Sequence, residues 1–225
     1  MDKDLFKLFS ILALVLIFLF ITYITITYSK FPPSITETLS NQDYLVLMGD
    51  SIFKNDIYVK DGHSVGENLQ SSHGNVIVLA EDNAVISDIE KQMSLIPNNA
   101  KNKNTKIVIS VGGNDLLNQY NFNDVNNLSH VDSIFNQYTS SINNIKNNIE
   151  SEIILCNIYY PRSKSVVRYY DIIDLWNSKM KTYAKNNNFK LLRLDESVDK
   201  EEYFTNEIEP SKHGSKIISE MILNS

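Results

Sequence analysis

The sequence predicts an α/β domain: a three-layer α/β/α sandwich around a five-stranded parallel sheet. Five short apolar runs bounded by polar residues, at 44–48, 75–80, 106–111, 152–157 and 190–194, read as strands buried on both faces. Between them apolar residues return at three- and four-residue steps. Val131, Ile134, Phe135, Tyr138, Ile142 and Ile145 form one such stripe, and Ile172, Trp176, Met180 and Tyr183 form another, which makes Trp176 a core residue. A chain of 225 residues, 43% of them hydrophobic, has enough apolar surface for one substantial domain.

Taken in order, the N-terminus stands apart. From Leu5 to Thr27 the run is interrupted only by Lys7 and small hydroxyl residues, and as a helix it would extend about 35 Å, enough to cross a bilayer. A cleaved signal peptide is the rival reading, but no small-x-small site follows the apolar stretch, so 1–30 is expected to be an uncleaved membrane anchor. Lys3, Lys7 and the α-amino group outnumber the single near flank Lys30. That bias predicts a single-pass protein whose domain lies outside the cytoplasm or in a lumen. The Pro- and Ser/Thr-containing stretch 31–42 reads as a linker, and 43–225 as the folded domain.

Strand one ends in Met48-Gly49-Asp50-Ser51 and strand three in Val111-Gly112-Gly113-Asn114-Asp115. In a doubly wound parallel sheet both clusters emerge at one edge, beside a crevice. Gly-Asp-Ser by itself is a common turn. Paired with an Asn side chain able to donate to an oxyanion, it becomes a candidate nucleophile site.

These blocks resemble the SGNH/GDSL hydrolase family, from residue 44 to the C-terminus: Gly49-Asp50-Ser51 as the nucleophile block, Ala80 where the second block has a small residue, and Gly112-Gly113-Asn114-Asp115 as the third. The resemblance implies the flavodoxin-like fold of that family and a serine esterase or acylhydrolase. It also implies an oxyanion hole from the Ser51 and Ala80 N–H groups and the Asn114 amide. Asp50 and Asp115 are expected to brace their loops by accepting backbone hydrogen bonds.

Family members usually close with Asp-x-x-His-Pro-Ser, whose His is the base. This chain reads Asn206-Glu207-Ile208-Glu209-Pro210-Ser211-Lys212-His213-Gly214, as in a branch of the family with Asn-x-Ile-Glu-Pro-Ser at this place. Three readings of the replacement compete. Glu209 itself takes the Ser51 proton, as a carboxylate with a raised pKa. Alternatively His213 substitutes, four residues on and so on one helix face with Glu209, with Pro210 in the first turn. In the third reading the crevice binds without turnover.

Gly113, Asp50, Asp82 and Asn83 lie near enough to the crevice to touch substrate. Tyr159 and Tyr160, after the fourth strand, are candidate walls of an acyl or sugar pocket. Cys156 sits inside an apolar run and reads as a packed thiol. His63, His73 and His130 fall in polar connections without metal-ligand spacing and read as surface residues, so no metal or other cofactor is expected. Net charge is −6 with lysines scattered among asparagines, and no phosphate-cradling or dinucleotide motif occurs, which argues against nucleic acid or nucleotide as partner. The expected activity is cleavage of a small-molecule, lipid or carbohydrate ester. The alternatives are a silent binding domain for a carbohydrate or acyl ligand, and an O-acyltransferase.

Overall fold

The computed structural model describes residues 43–119 and 127–225. The expected anchor and linker, 1–42, lie outside the described residues. No helix among the described residues is long and apolar enough to cross a membrane.

Five parallel strands form one sheet: β1 (Leu45–Gly49), β2 (Val76–Val78), β3 (Lys106–Ser110), β4 (Glu152–Cys156) and β5 (Lys190–Leu192), in the order β2-β1-β3-β4-β5. All five occur where the apolar runs place them. The second and fifth are shorter than expected, because Leu79 and Ala80 both donate to the Leu47 carbonyl and Leu194 opens a helical turn.

Alternation along each strand divides the core in two. Val46, Met48, Ile107, Ile109, Ile153 and Leu155 face one layer, and Leu45, Leu47, Val108, Ile154, Cys156 and Leu192 face the other. The elements between strands are α1 (Val65–Ser72), α2 (Ile89–Ser94), α3 (Gly113–Gln119), α4 (Asn127–Asn148) and α5 (Tyr170–Asn187). The short α6 (Leu194–Ser197) and the final α7 (Lys212–Leu223) follow β5. Helices α2 to α5 cover the first face through Ile89, Leu116, Ile134 and Trp176; α1, α6 and α7 cover the second through Leu69, Leu194 and Ile218. Each of these side chains is at most 2% exposed, and burying one contributes about 1.5–3 kcal/mol.

Local chemistry sets the helix ends. Ser64 and Glu67 form a reciprocal capping box at the start of α1, a pattern that holds the Glu67 carboxyl down at about 2. The Ser211 hydroxyl accepts from the His213 and Gly214 N–H groups, so Ser211 caps α7. Pro210 is therefore not in the first helical turn. It lies in β7 (Glu209–Pro210), which pairs antiparallel with β6 (Phe204–Thr205).

Candidate active site

The register of β1 against β3 pairs Gly49 with Ser110, so the two polar clusters leave the sheet side by side. Gly49 has φ +129°, and a Cβ there would lie 1.7 Å from the Ser110 carbonyl oxygen. Only glycine permits that approach. The Asp50 N–H then donates to Ser110 O at 3.0 Å, and Phe53 and Lys54 both donate to Asp50 O, winding the chain into a tight turn. Ser51 sits at its apex, 8% exposed. The turn's backbone bonds come from Asp50, Ile52, Phe53 and Lys54 and leave the Ser51 N–H outside them.

Gln92 escaped sequence reasoning. Wholly buried on α2, it accepts from the Gly49 N–H at 2.7 Å and donates to the Gly49 carbonyl at 2.8 Å, serving as an additional strand for one residue. The helix reads Ile-Glu-Lys-Gln-Met-Ser, where a glutamine does not stand out, so no local signal marked it.

Glu209 reaches Ser51 from the opposite end of the chain. Asn206 and Glu207 have φ of +46° and +71°, which reverses the backbone between β6 and β7. Asn is among the residues that tolerate this conformation best. Asn206 thus makes a turn at the position where the block Asp-x-x-His-Pro-Ser has its Asp. The ribbon buries Glu209 to 6% exposure, and the Ser51 hydroxyl donates to its Oε1 at 3.1 Å. The second carboxylate oxygen, Oε2, is buried and makes no hydrogen bond among the described residues.

Two further side chains hold this ribbon in place. Asn55, fully buried, donates to the Pro210 carbonyl at 3.0 Å and to Ser215 Oγ at 2.6 Å while accepting from the Val65 N–H at 2.9 Å. Tyr159 donates to the Ile208 carbonyl at 2.8 Å. The ribbon carrying Glu209 is therefore fixed on both sides of that residue.

His213 is placed differently. Glu209 is in a strand and not one turn before His213 on a helix, so the i,i+4 relationship does not exist. His213 is exposed on the first turn of α7 and is not in the wall of the Ser51 pocket.

Asn114 donates from Nδ2 to the Ala84 carbonyl at 2.9 Å, which orients the amide and leaves its second N–H for another acceptor. Ala80 departs from the expected oxyanion hole: its N–H is spent on Leu47 O at 3.1 Å, and it does not line the pocket. Asp50 and Asp115 accept from the Ile52 and Ile86 N–H groups at 3.1 and 3.0 Å, the bracing role expected of them.

Gly113, Asp50 and Tyr159 line the pocket with Ser51, Asn114 and Glu209. Asp82, Asn83 and Tyr160 do not. Asp82 accepts from the Tyr58 hydroxyl at 3.0 Å and from Asn83 Nδ2 at 2.7 Å, with Asn83 in the left-handed region at φ +59°. Tyr160 turns away to bond Asp174 and pack edge-on against Tyr170. The pocket has a volume of about 60 Å³. Among the described residues no group of three or more His, Cys, Asp or Glu side chains is placed to hold a metal ion.

The two carboxylates at the pocket differ. Complete burial, with the nearby Glu209 charge adding to it, pushes Asp50 up to about 8, so at neutral pH it is mostly uncharged. Burial also raises Glu209, the Ser51 hydrogen bond opposes that rise, and Asp82 adds to it. Both carboxyls are therefore raised by burial, and the Glu209 charge adds to the rise of Asp50.

No family model matches the sequence, and no curated protein matches it. Solved structures do. A lipolytic protein of the G-D-S-L family from Veillonella parvula superposes with a TM-score of 0.64 at 17% identity, covering 80% of this chain and 96% of that one. The psychrotrophic esterase EstA from Pseudoalteromonas sp., in a structure inhibited by monoethylphosphonate, gives 0.62 at 14% identity, covering 82% and 96%. Axe2, an acetylxylan esterase from Geobacillus stearothermophilus, gives 0.58 at 16% identity, covering 81% and 93%. The folded domain therefore has the fold of the G-D-S-L lipolytic proteins and esterases.

Proposed function

We propose that this chain is a serine ester hydrolase in which Ser51 is the nucleophile and Glu209 the base. The observation that carries the reading is the 3.1 Å hydrogen bond from the Ser51 hydroxyl to Glu209 Oε1 at the polar end of a pocket. Ser51 Oγ attacks the ester carbonyl as its proton passes to Oε1, a transfer that a raised carboxylate pKa makes less uphill. The oxyanion receives the Ser51 N–H and the second N–H of Asn114. Protonated Glu209 returns the proton to the departing alkoxide. Water then attacks the acyl-enzyme with Glu209 again as base, releasing the acid and restoring Ser51. The likeness in fold to esterases and lipolytic proteins supports this reading.

The test is hydrolysis of p-nitrophenyl esters by the full chain beside Ser51→Ala and Glu209→Gln, with labelling by a serine-reactive phosphonate. The expected result is turnover and label at Ser51, both lost in Ser51→Ala. A folded wild-type protein that neither hydrolyses nor accepts the label would overturn the reading. From the sequence we also infer that residues 1–30 anchor this activity to a membrane, with the domain on its extracytoplasmic or luminal side. Membrane fractionation with and without 1–30, and protease accessibility of the domain, check it.

A further inference from the structure

The loops after β1 and β3 are both bonded to one short piece of chain, 84–92. The Ala84 carbonyl accepts from the Asn114 amide at 2.9 Å, and the Ile86 N–H donates to Asp115 Oδ2 at 3.0 Å. At the other end of the segment Gln92 accepts from the Gly49 N–H at 2.7 Å and donates to the Gly49 carbonyl at 2.8 Å. Strand β2 shows why this last pair is needed. Its register against β1 stops at Val78 opposite Leu47, and the Leu79 and Ala80 N–H groups both turn to the Leu47 carbonyl, so Gln92 takes the place of a strand beside Gly49. Ala84, Ile86, Ile89 and Gln92 are each at most 3% exposed, which seats the whole segment in the core.

Resting on the serine-hydrolase reading, we infer that 84–92 is one brace that sets the two oxyanion donors, the Ser51 N–H and the Asn114 amide, relative to each other, with Gln92 as the positioning residue on the Ser51 side. The Gly49 N–H belongs to the peptide before its Cα and the Gly49 carbonyl to the peptide after it. Holding both with one rigid amide fixes φ and ψ at a residue that has no side chain to restrict them. The turn that presents Ser51 begins at that residue. Gln92 and Ala84 are not in the pocket wall, so the brace acts through the groups that it holds. With the Ala80 N–H spent on Leu47, the chain after β2 contributes placement where the resemblance implied a donor. Placement of donors for a developing oxyanion governs kcat and leaves ground-state binding nearly unchanged.

The experiment compares Gln92→Met, which keeps the length and removes both bonds, with wild type and with Ile145→Ala, a core truncation on α4 at the opposite edge of the sheet. All are full chains, assayed on a p-nitrophenyl ester and with a serine-reactive phosphonate well below their unfolding temperatures. Gln92→Met is expected to lose roughly ten- to a hundredfold in kcat, with KM within about twofold and the rate of labelling at Ser51 falling in parallel. Ile145→Ala is expected to keep kcat within about twofold. Gln92→Glu decides the matter if the Met variant does not fold. Its protonated carboxyl can make both bonds to Gly49, whereas the ionised one turns a lone pair on the Gly49 carbonyl. Its kcat relative to wild type is expected to rise as pH falls, a ratio in which the titrations of Asp50, Glu81 and Glu209 cancel. A folded Gln92→Met with kcat no lower than that of Ile145→Ala, or a Gln92→Glu ratio flat with pH, would overturn the inference and leave Ser51 as nucleophile. Wild type that neither turns over nor takes the label would instead overturn the serine reading, and this inference with it.

Discussion

The Ser51 hydroxyl donates to Glu209 Oε1 across 158 positions of sequence, at 3.1 Å, with both residues under a tenth exposed. Such contact demands two rigid supports. On one side the turn after β1 is fixed by Gly49 against Ser110 and by the Gln92 amide. On the other, the ribbon is tied by Asn55 to the Pro210 carbonyl and by Tyr159 to Ile208.

If Glu209 is the base, Glu209→Gln retains its shape and loses its basicity. The expected drop in kcat is roughly 10²–10⁴-fold, while His213→Ala leaves kcat within about twofold of wild type. Stopped-flow acylation rates on both variants check this; the reverse pattern would transfer the role to His213.

The pH profile follows from the same carboxylate. As the proposed base Glu209 must be ionised, and its pKa is raised, so activity should climb with pH through a limb above the ordinary carboxylate range. Asp82 contributes to that rise. Asp82→Asn should therefore move the limb to lower pH, a shift that a purely structural effect of the substitution would not produce.

Asp50 makes a prediction about stability. Its pKa rises from 3.8 in the unfolded chain to about 8 in the fold, so its contribution is complete below about pH 4 and is lost as pH increases towards 8. Asp50→Asn keeps an oxygen for the Ile52 N–H. It should flatten the fall in Tm between about pH 5 and about pH 8, read by calorimetry.

In the proposed mechanism Asn114→Ala removes one of the two oxyanion donors. A loss of about 10²–10³-fold in kcat with KM little changed is expected, because the bond to a developing oxyanion is made in the transition state. Steady-state kinetics on the preferred ester measure it.

Gly112 has φ +115°, and a Cβ there would stand 2.4 Å from Trp176 Cζ2. Gly112→Ala should cost about 3 kcal/mol or more through overpacking and backbone strain. Trp176→Phe should recover part of that loss in a double-mutant cycle followed by denaturant unfolding, since the clash is with the indole's larger ring.

The sheet and its loaded edge were legible from local composition. Five apolar runs became five strands because a strand covered on both faces must be apolar at every position, a demand met or failed by neighbours along the chain. Gly49-Asp50-Ser51 and Gly112-Gly113-Asn114-Asp115 could be read for a related reason, since their glycines answer steric demands made where the strands end. The partner of Ser51 stayed open. Glu209, alone or with His213, was the candidate while the stretch before α7 was read as helix. Packing separates the two: the chain turns at Asn206 and Glu207 and Asn55 pins Pro210, which puts the carboxylate in the pocket and leaves the imidazole in solvent. The same holds for Ala80, whose N–H went to Leu47 once β2 settled against β1, and for Gln92, whose value lies in a strand 43 residues away. Hydrophobic periodicity is a property of neighbours along the chain, whereas hydrogen-bond partnership is decided by which neighbours the folded chain supplies.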